Sequence, residues 1–311
     1  MNLLIQVVLL ALGFVMLVKG ADWFVDGSSA VARRFGIPQL VIGLTIVAMG
    51  TSAPEAAVSI TAALQGNAEI TIGNIVGSNI LNILIILGLS SLLCNLAVAK
   101  STIRIENPFM IFITLALLVL GLDGTISRLD ALILVALFIV YLSYLLWMAK
   151  KGHEEVEEEA KQRSLLMDLL FTVIGLVLIV FGSNVTVDAA TELALIFGVS
   201  ERFIGLTIVA LGTSLPELFT SVVAARKGNA DIAIGNIVGS NVFNILFVVG
   251  LSGLIIPVPF AAGFVIDTLV AIGAAVMLAI MCAVRGKLVR WHGAVMVASY
   301  AAYFVYLLLK P

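Results

Sequence analysis

The stretch GLTIVAMGTSAPE at residues 43–55 returns as GLTIVALGTSLPE at residues 205–217. A second stretch, GNIVGSN at 73–79, returns unchanged at 235–241. Both pairs lie 162 residues apart, and comparing 41–90 with 203–252 at that offset gives 33 identities in 50 positions without a gap. The match extends upstream, where Gly13, Gly20 and Asp26 stand opposite Gly175, Gly182 and Asp188. Self-similarity of this extent marks a duplicated structural unit.

The motifs sit in an apolar chain. Of its 311 residues 61% are hydrophobic and 12% charged, about half the charge of a soluble domain. Apolar runs of roughly 20 residues, enough for a helix to cross about 30 Å of hydrocarbon, give expected spans at 3–32, 38–63, 69–93, 107–122, 130–149, 165–195, 203–225, 231–255, 264–284 and 291–309. No soluble domain fits between them. The expected fold is therefore an all-α integral membrane protein of ten transmembrane helices. Residues 1–149 form a first unit of five spans, 150–164 a linker and 165–311 a second unit of five. The run from Leu3 onward lacks the basic leader of a signal peptide and shares in the repeat, so it is expected to belong to the mature fold. Without a lipidation or organelle address, the expected location is a prokaryotic plasma membrane.

The differences between the copies set their orientation. Arg33 and Arg34 become Leu195 and Ile196, whereas Leu64 and Gln65 become Arg226 and Lys227. Basic residues have moved to the opposite end of the equivalent span, and cytoplasmic loops concentrate Lys and Arg. The copies are thus expected to be inverted, as an odd number of spans per copy requires. With both termini outside, Arg33, Arg34, Lys100, Arg104, Lys150, Lys151, Lys161, Arg163, Arg226, Lys227, Arg285, Lys287 and Arg290 fall inside, 13 of the 17 basic residues. Arg128, Arg202 and Lys310 fall outside and Lys19 lies within a span.

Glu55 and Glu217 occupy equivalent places inside apolar spans. A charge at mid-membrane costs about 2.5–3.5 kcal/mol on insertion scales, so carboxylates there face a bundle interior or a water cavity. Pro54 and Pro216 lack an N–H and crowd the carbonyls four residues back, those of Gly50 and Gly212, and the carbonyls at Ala48 and Ala210 are expected to lose regular partners too. Freed carbonyls are tolerated at membrane depth only where they line a cavity or bind an ion. Thr51, Ser52, Thr213 and Ser214 add hydroxyls beside each Glu, with back-bonding to helix carbonyls as their alternative use. Ser78 and Asn82 are four apart and share a helix face, as do Ser240 and Asn244; interhelical hydrogen bonding is the alternative. Gly73, Gly77, Gly235 and Gly239 let helix backbones approach, and Asn74, Asn79, Asn236 and Asn241 read as interhelical glue. Carboxylate, hydroxyl, amide and backbone oxygen together suit a hard cation, above all Ca²⁺. Zinc or copper would recruit nitrogen or sulfur, and Mg²⁺ dehydrates too reluctantly. Inverted repeats with broken helices around a midplane site are a recurring design of secondary transporters.

At these motifs the chain resembles the sodium/calcium exchanger family, within the larger calcium/cation antiporter group and in its compact prokaryotic form. The resemblance covers both copies. It implies a ten-helix fold, alternating access and Ca²⁺ exchanged for Na⁺ without a cofactor. It also implies ion-binding roles for Ala48, Thr51, Ser52, Glu55, Ser78 and Asn82 and for Ala210, Thr213, Ser214, Glu217, Ser240 and Asn244. One departure is Asn244, where several members carry Asp.

The remaining signals are read more simply. Gly66 and Gly228 are expected as helix C-caps, and Asn67 and Asn229 as N-caps ahead of Glu69 and Asp231. Asp22, Asp26 and Asp188 are expected at an interfacial or water-accessible surface, with Lys19 within helical reach of Asp22. Glu154, Glu155, Glu157, Glu158 and Glu159 read as a solvated linker. His153 and His292 receive no ligand role, and Cys94 and Cys282 pack as small apolar residues. The expected partners are the bilayer and the transported Ca²⁺ and Na⁺, with H⁺ as a rival coupling ion. A net charge of −2 argues against nucleic acid, and nothing points to a protein partner. A cation channel is the alternative outside carriers; an intramembrane enzyme is disfavoured because no Ser–His or paired Asp arrangement appears in the spans.

Overall fold

The computed structural model describes residues 3–151, 164–198 and 210–309. The linker acids, His153, Lys161, Arg163, Arg202, Lys310 and the first part of the 203–225 span lie outside the described residues.

The apolar runs form long helices: α1 Leu3–Phe35, α2 Gln39–Thr51, α3 Ala53–Leu64, α4 Glu69–Leu93, α5 Thr102–Gly121 and α6 Arg128–Lys151. The second copy gives α7 Leu165–Ile196, a helical turn Ala210–Gly212, α8 Leu215–Arg226, α9 Ala230–Ile255, α10 Ala262–Arg285 and α11 Arg290–Leu309. Eight of these are long and apolar enough to cross a membrane, and the bent pair α2–α3 makes up to nine among the described residues. Leu4, Leu129 and Val284 are exposed on the outside of the bundle, as a helix surface facing lipid tails requires. α1 has 33 residues, about 50 Å at 1.5 Å per residue, and a helix longer than the hydrocarbon accommodates by tilting.

The fourth span begins five residues before its expected start. The apolar criterion stops at Arg104 and Glu106, but the helix accommodates both, starting with a π-helical turn at Thr102–Glu106. Arg104 points outward and Glu106 is buried, taking a hydrogen bond from the Tyr144 hydroxyl. A charge that turns inward to a partner does not end a span.

Contacts recur in pairs related by the same offset. Along α1 and α7, which run antiparallel, a methyl on Gly20 would stand 2.8 Å from the Gly175 carbonyl, and one on Gly182 would stand 3.0 Å from the Gly13 carbonyl. Gly20 and Gly182 are repeat equivalents, as are Gly13 and Gly175, so the two contacts are one contact seen twice. The short strands do the same. Leu96 pairs with Leu288 and their counterparts Val258 and Ile126 pair with each other, both antiparallel.

The core surrounds α4 and α9. The most apolar stretch of α9 is 94% buried, against 22% for α1 and α7. Gly235 and Gly239 press against α2, where an added methyl would meet the backbone of Gly43 at 3.0 Å or of Leu44 at 2.7 Å, and the Ala48 Cβ at 2.7 Å. The expectation of close backbone approach therefore holds for these two glycines. Gly73 instead faces the Phe264 ring, and at Gly77 nothing described lies within 4 Å.

Gly66 and Gly228 end their helices at φ of 81° and 80°, the left-handed C-cap conformation. The asparagines that follow do not cap by side chain. The N-cap of α4 falls on Ala68, and Asn229 stands at the N-cap of α9 but donates its amide to Ser29. At the surface, Lys227 holds Asp26 at 2.8 Å and Asp22 at 3.2 Å, so the partner of Asp22 comes from α8 and not from Lys19. Asp188 is exposed, as expected.

Candidate functional site: a buried oxygen cluster shared by both copies

The break that positions the site is at Ser52. Its backbone, at φ −81° and ψ 6°, leaves the helical region, and Pro54 opens the next helix within its first two residues. The result is a 49° bend between α2 and α3. Ser214 and Pro216 repeat it at the start of α8, with φ −90° and ψ 3°. A proline is tolerated there because the first N–H groups of a helix have no internal partner.

Each break delivers its Glu to the other copy. Ser52 donates to Glu217 Oε1 at 2.8 Å, and Ser214 donates to Glu55 Oε1 at 3.2 Å. The Thr213 hydroxyl also bears on Glu55, and those of Thr51 and Ser240 bear on Glu217. The Thr51 hydroxyl has one proton and lies within reach of alternative acceptors, the Val47 carbonyl at 3.1 Å and Asn236 Oδ1 at 3.0 Å. The Ala48 carbonyl keeps a helical partner, the Ser52 N–H at 3.0 Å, and also accepts from Thr51 and Ser240 at 3.3 and 3.4 Å. The expected loss of its regular partner does not occur, since the N–H that Pro54 lacks would have served Gly50 and the Ser52 N–H remains to serve Ala48. The Gly212 carbonyl accepts from Ser183 at 2.6 Å. Ala210 opens the short turn that packs on α4, and Ser78 is buried.

The asparagines divide into two sets. Asn74 and Asn236 brace the Glu-bearing helices: each donates to a serine hydroxyl at 2.9 Å, Ser59 or Ser221, and to the carbonyl of its own copy's Glu. Asn79 and Asn241 exchange amide-to-carbonyl bonds at 3.2 and 3.3 Å across the copies. All four act as the interhelical glue expected of them. Asn82 and Asn244 each start a π-helical turn, Asn82–Leu87 and Asn244–Val249. Their amide N–H groups are spent on Asn241 Oδ1 and Asn79 Oδ1 at 2.9 and 3.1 Å. That fixes which way their oxygens face.

Four oxygens remain: Glu55 Oε2, Glu217 Oε2, Asn82 Oδ1 and Asn244 Oδ1 are buried with no hydrogen-bond partner among the described residues. They form two pairs at the repeat offset. Their side chains are at most 1% exposed. Buried polar atoms are normally satisfied, so four acceptors with no donor describe a place made for something positive. Sequence reading did not anticipate the π-turns or the Gly212–Ser183 bond, because neither backbone register nor a partner 29 residues away leaves a local pattern.

Fold and site together define a multi-pass helical membrane protein with a paired, acceptor-rich centre. Comparison with known proteins gives the family. Residues 5–147 and 167–309 match the family described as sodium/calcium exchanger protein. The putative antiporter CaxA of Alkalimonas amylolytica is 38% identical over 97% of this chain and 98% of its own length. Sodium/calcium exchanger MaX1 of Methanosarcina acetivorans is 33% identical over 97% and 98%. A solved structure of the sodium-calcium exchanger NCX_Mj, soaked with zero Na⁺ and Ca²⁺, superposes with a TM-score of 0.86 at 33% identity, covering 98% of this chain and all of that one. The chain belongs to the sodium/calcium exchanger family.

Proposed function

We propose that this protein is a secondary antiporter that exchanges Ca²⁺ for Na⁺ at the oxygen cluster around Glu55 and Glu217. The observation that carries the reading is the set of four buried oxygens without donors. Ca²⁺ takes 6–8 oxygens in flexible geometry. Glu55, Glu217, Asn82 and Asn244 supply four side chains, and Thr51, Ser52, Ser78, Thr213, Ser214 and Ser240, with the carbonyls of Ala48 and Ala210, complete the shell for Ca²⁺ or desolvated Na⁺. The serines that now hold Oε1 of each Glu turn their lone pairs inward when a cation arrives.

In this reading ten spans form two inverted five-helix units, residues 1–149 and 165–311, with both termini outside and residues 150–164 cytoplasmic. The paired contacts at offset 162 and the sidedness of the basic residues support it. Alternating access follows from geometry in which every ligand on one copy has an equivalent facing the opposite side. The test is radiolabelled Ca²⁺ uptake into proteoliposomes loaded with Na⁺. Uptake that needs Na⁺ inside, and that raises internal Ca²⁺ above the outside concentration only while Na⁺ is higher inside, is expected. Uptake independent of the trans ion would make the protein a channel.

A further inference from the structure

A cavity of about 510 Å³ lies beside the oxygen cluster. Its lining includes Asn74, Ser78 and Thr213, with Ser78 buried, together with Ile70 and Leu307 from the first turn of α4 and the last turns of α11, of which Ile70 is exposed. Most of the wall is apolar. Among the described residues that line it, Asp267 is the one that carries a charge.

Asp267 sits in the second turn of α10, near the end of the span, where a carboxylate can meet ions arriving from the aqueous side. It is only partly buried, and the Tyr303 hydroxyl of α11 donates to its Oδ1 at 2.9 Å. The repeat equivalent of Tyr303 is Tyr141, but that of Asp267 is Ile105. The first copy ties the corresponding helices with Glu106 and Tyr144, and there the carboxylate is completely buried. Glu106 borders a small cavity of about 120 Å³ but is itself wholly buried, whereas Asp267 is partly exposed and borders the cavity of about 510 Å³ that reaches Ser78 and Thr213.

We infer that Asp267 is the cation-capturing residue of an access path to the Glu55–Glu217 cluster, and that hydrated cations, divalent ones above all, are what it concentrates. The identity of Ca²⁺ as that cation rests on the function proposed above; the capture of positive charge does not. Tyr303 holds the carboxylate in place while leaving it facing the cavity. Apolar walls of low dielectric focus the field of a single charge along the path, which raises the local cation concentration and the rate of arrival.

The experiment reads the cavity without transport. In a protein with Cys94→Ala and Cys282→Ala, Gly77→Cys puts a thiol on the cavity wall where an added side chain meets nothing described within 4 Å. The rates of its reaction with a cationic and a neutral methanethiosulfonate reagent are compared. Asp267→Asn is expected to lower the cationic-to-neutral ratio about fivefold at low ionic strength, Asp267→Glu to restore it, and molar salt to erase the difference. An unchanged ratio in Asp267→Asn overturns the inference. In parallel, Asp267→Asn should raise the Ca²⁺ concentration for half-maximal flux from the cavity side about threefold or more, with turnover at saturating Ca²⁺ retained. Lost turnover that Asp267→Glu does not rescue, with the ratio unmoved, would show a structural tie and also overturns it. If the reagent ratio falls as expected while the unsubstituted protein moves no Ca²⁺, the exchanger reading fails and capture at Asp267 stands.

Discussion

Glu55 and Glu217 each give one carboxylate oxygen to a serine of the other copy and keep the second without a donor. The spent oxygen fixes the rotamer, and the free one is the ligand that the proposed exchange would use. Glu55→Gln or Glu217→Gln preserves volume but replaces an acceptor by an amide N–H and removes a charge. Each is expected to cut Ca²⁺ flux in proteoliposomes by at least about a hundredfold at matched expression, equivalent to roughly 2.7 kcal/mol of lost cation binding. Near-normal flux in either variant would place the site elsewhere. Ser59→Ala, which removes only a brace for Asn74, should cost far less. That both Glu residues are buried was legible in the sequence, because a carboxylate beside a proline in an apolar span, found twice, has to turn inward. The orientation of Asn82 and Asn244 was not. It depends on Asn79 and Asn241 reaching across from the other copy, a contact between residues 159–165 apart in sequence.

Among the elements, α1 and α7 make the most intimate pair, joined through glycines that leave no room for a side chain. A methyl on Gly20 would lie 2.8 Å from the Gly175 carbonyl, and one on Gly175 2.5 Å from the Phe24 N–H nitrogen. Backbone cannot step aside as a flexible side chain can. Gly20→Ala and Gly175→Ala are therefore expected to lower the midpoint of thermal unfolding in detergent, with overpacking costs of about 1–3 kcal/mol. Gly273→Ala in α10, where an added methyl meets nothing described, should leave it level or raise it, since Ala is the better helix former by about 1 kcal/mol. Equal midpoints for all three would mean the pair is not packed as described. The bend at Ser52 was legible, since Pro54 announces it. The π-helical turns at Gly43–Val47, Thr102–Glu106, Asn82–Leu87 and Asn244–Val249 were not. One extra residue turns the following helix face by about 100°, but in spans that are apolar on nearly every side that rotation leaves no mark in the sequence. The start of α5 was misplaced for the opposite reason: Glu106 looks like a boundary in one dimension and finds Tyr144 in three.

At the scale of the whole molecule, the exchange proposed above requires the two copies to face opposite sides, so that one site is reached from both. Cysteine probes at positions 66 and 228, in a background without Cys94 and Cys282, test this: the first is expected to react with impermeant reagents from outside only and the second from inside only. Labelling of both from one side ends the inverted arrangement. The nature of the coupling ion follows from the charge of the site so arranged. Glu55 and Glu217 bring a charge of about −2, which one Ca²⁺ or two Na⁺ neutralise, and Asn82 and Asn244 add oxygens but no charge. A third Na⁺ would leave an excess positive charge in a water-poor centre, the kind of imbalance that low-dielectric surroundings penalise most. Two Na⁺ for each Ca²⁺ moves no net charge, so exchange should be nearly insensitive to membrane potential. Introducing an acid by Asn244→Asp should make room for a further cation and bring voltage dependence with it. Protons compete for the same two carboxylates, yet a proton has no use for the surrounding hydroxyls and amide oxygens, which suit desolvated Na⁺. In Na⁺-loaded proteoliposomes an outward Na⁺ gradient is therefore expected to drive Ca²⁺ uptake with a protonophore present and the potential clamped by K⁺ and valinomycin. Uptake driven by a pH gradient alone, with Na⁺ without effect, would assign the coupling to protons. Uptake that accelerates strongly as the interior is made negative would instead mean that fewer positive charges leave than enter, and the balance drawn from two carboxylates would be wrong.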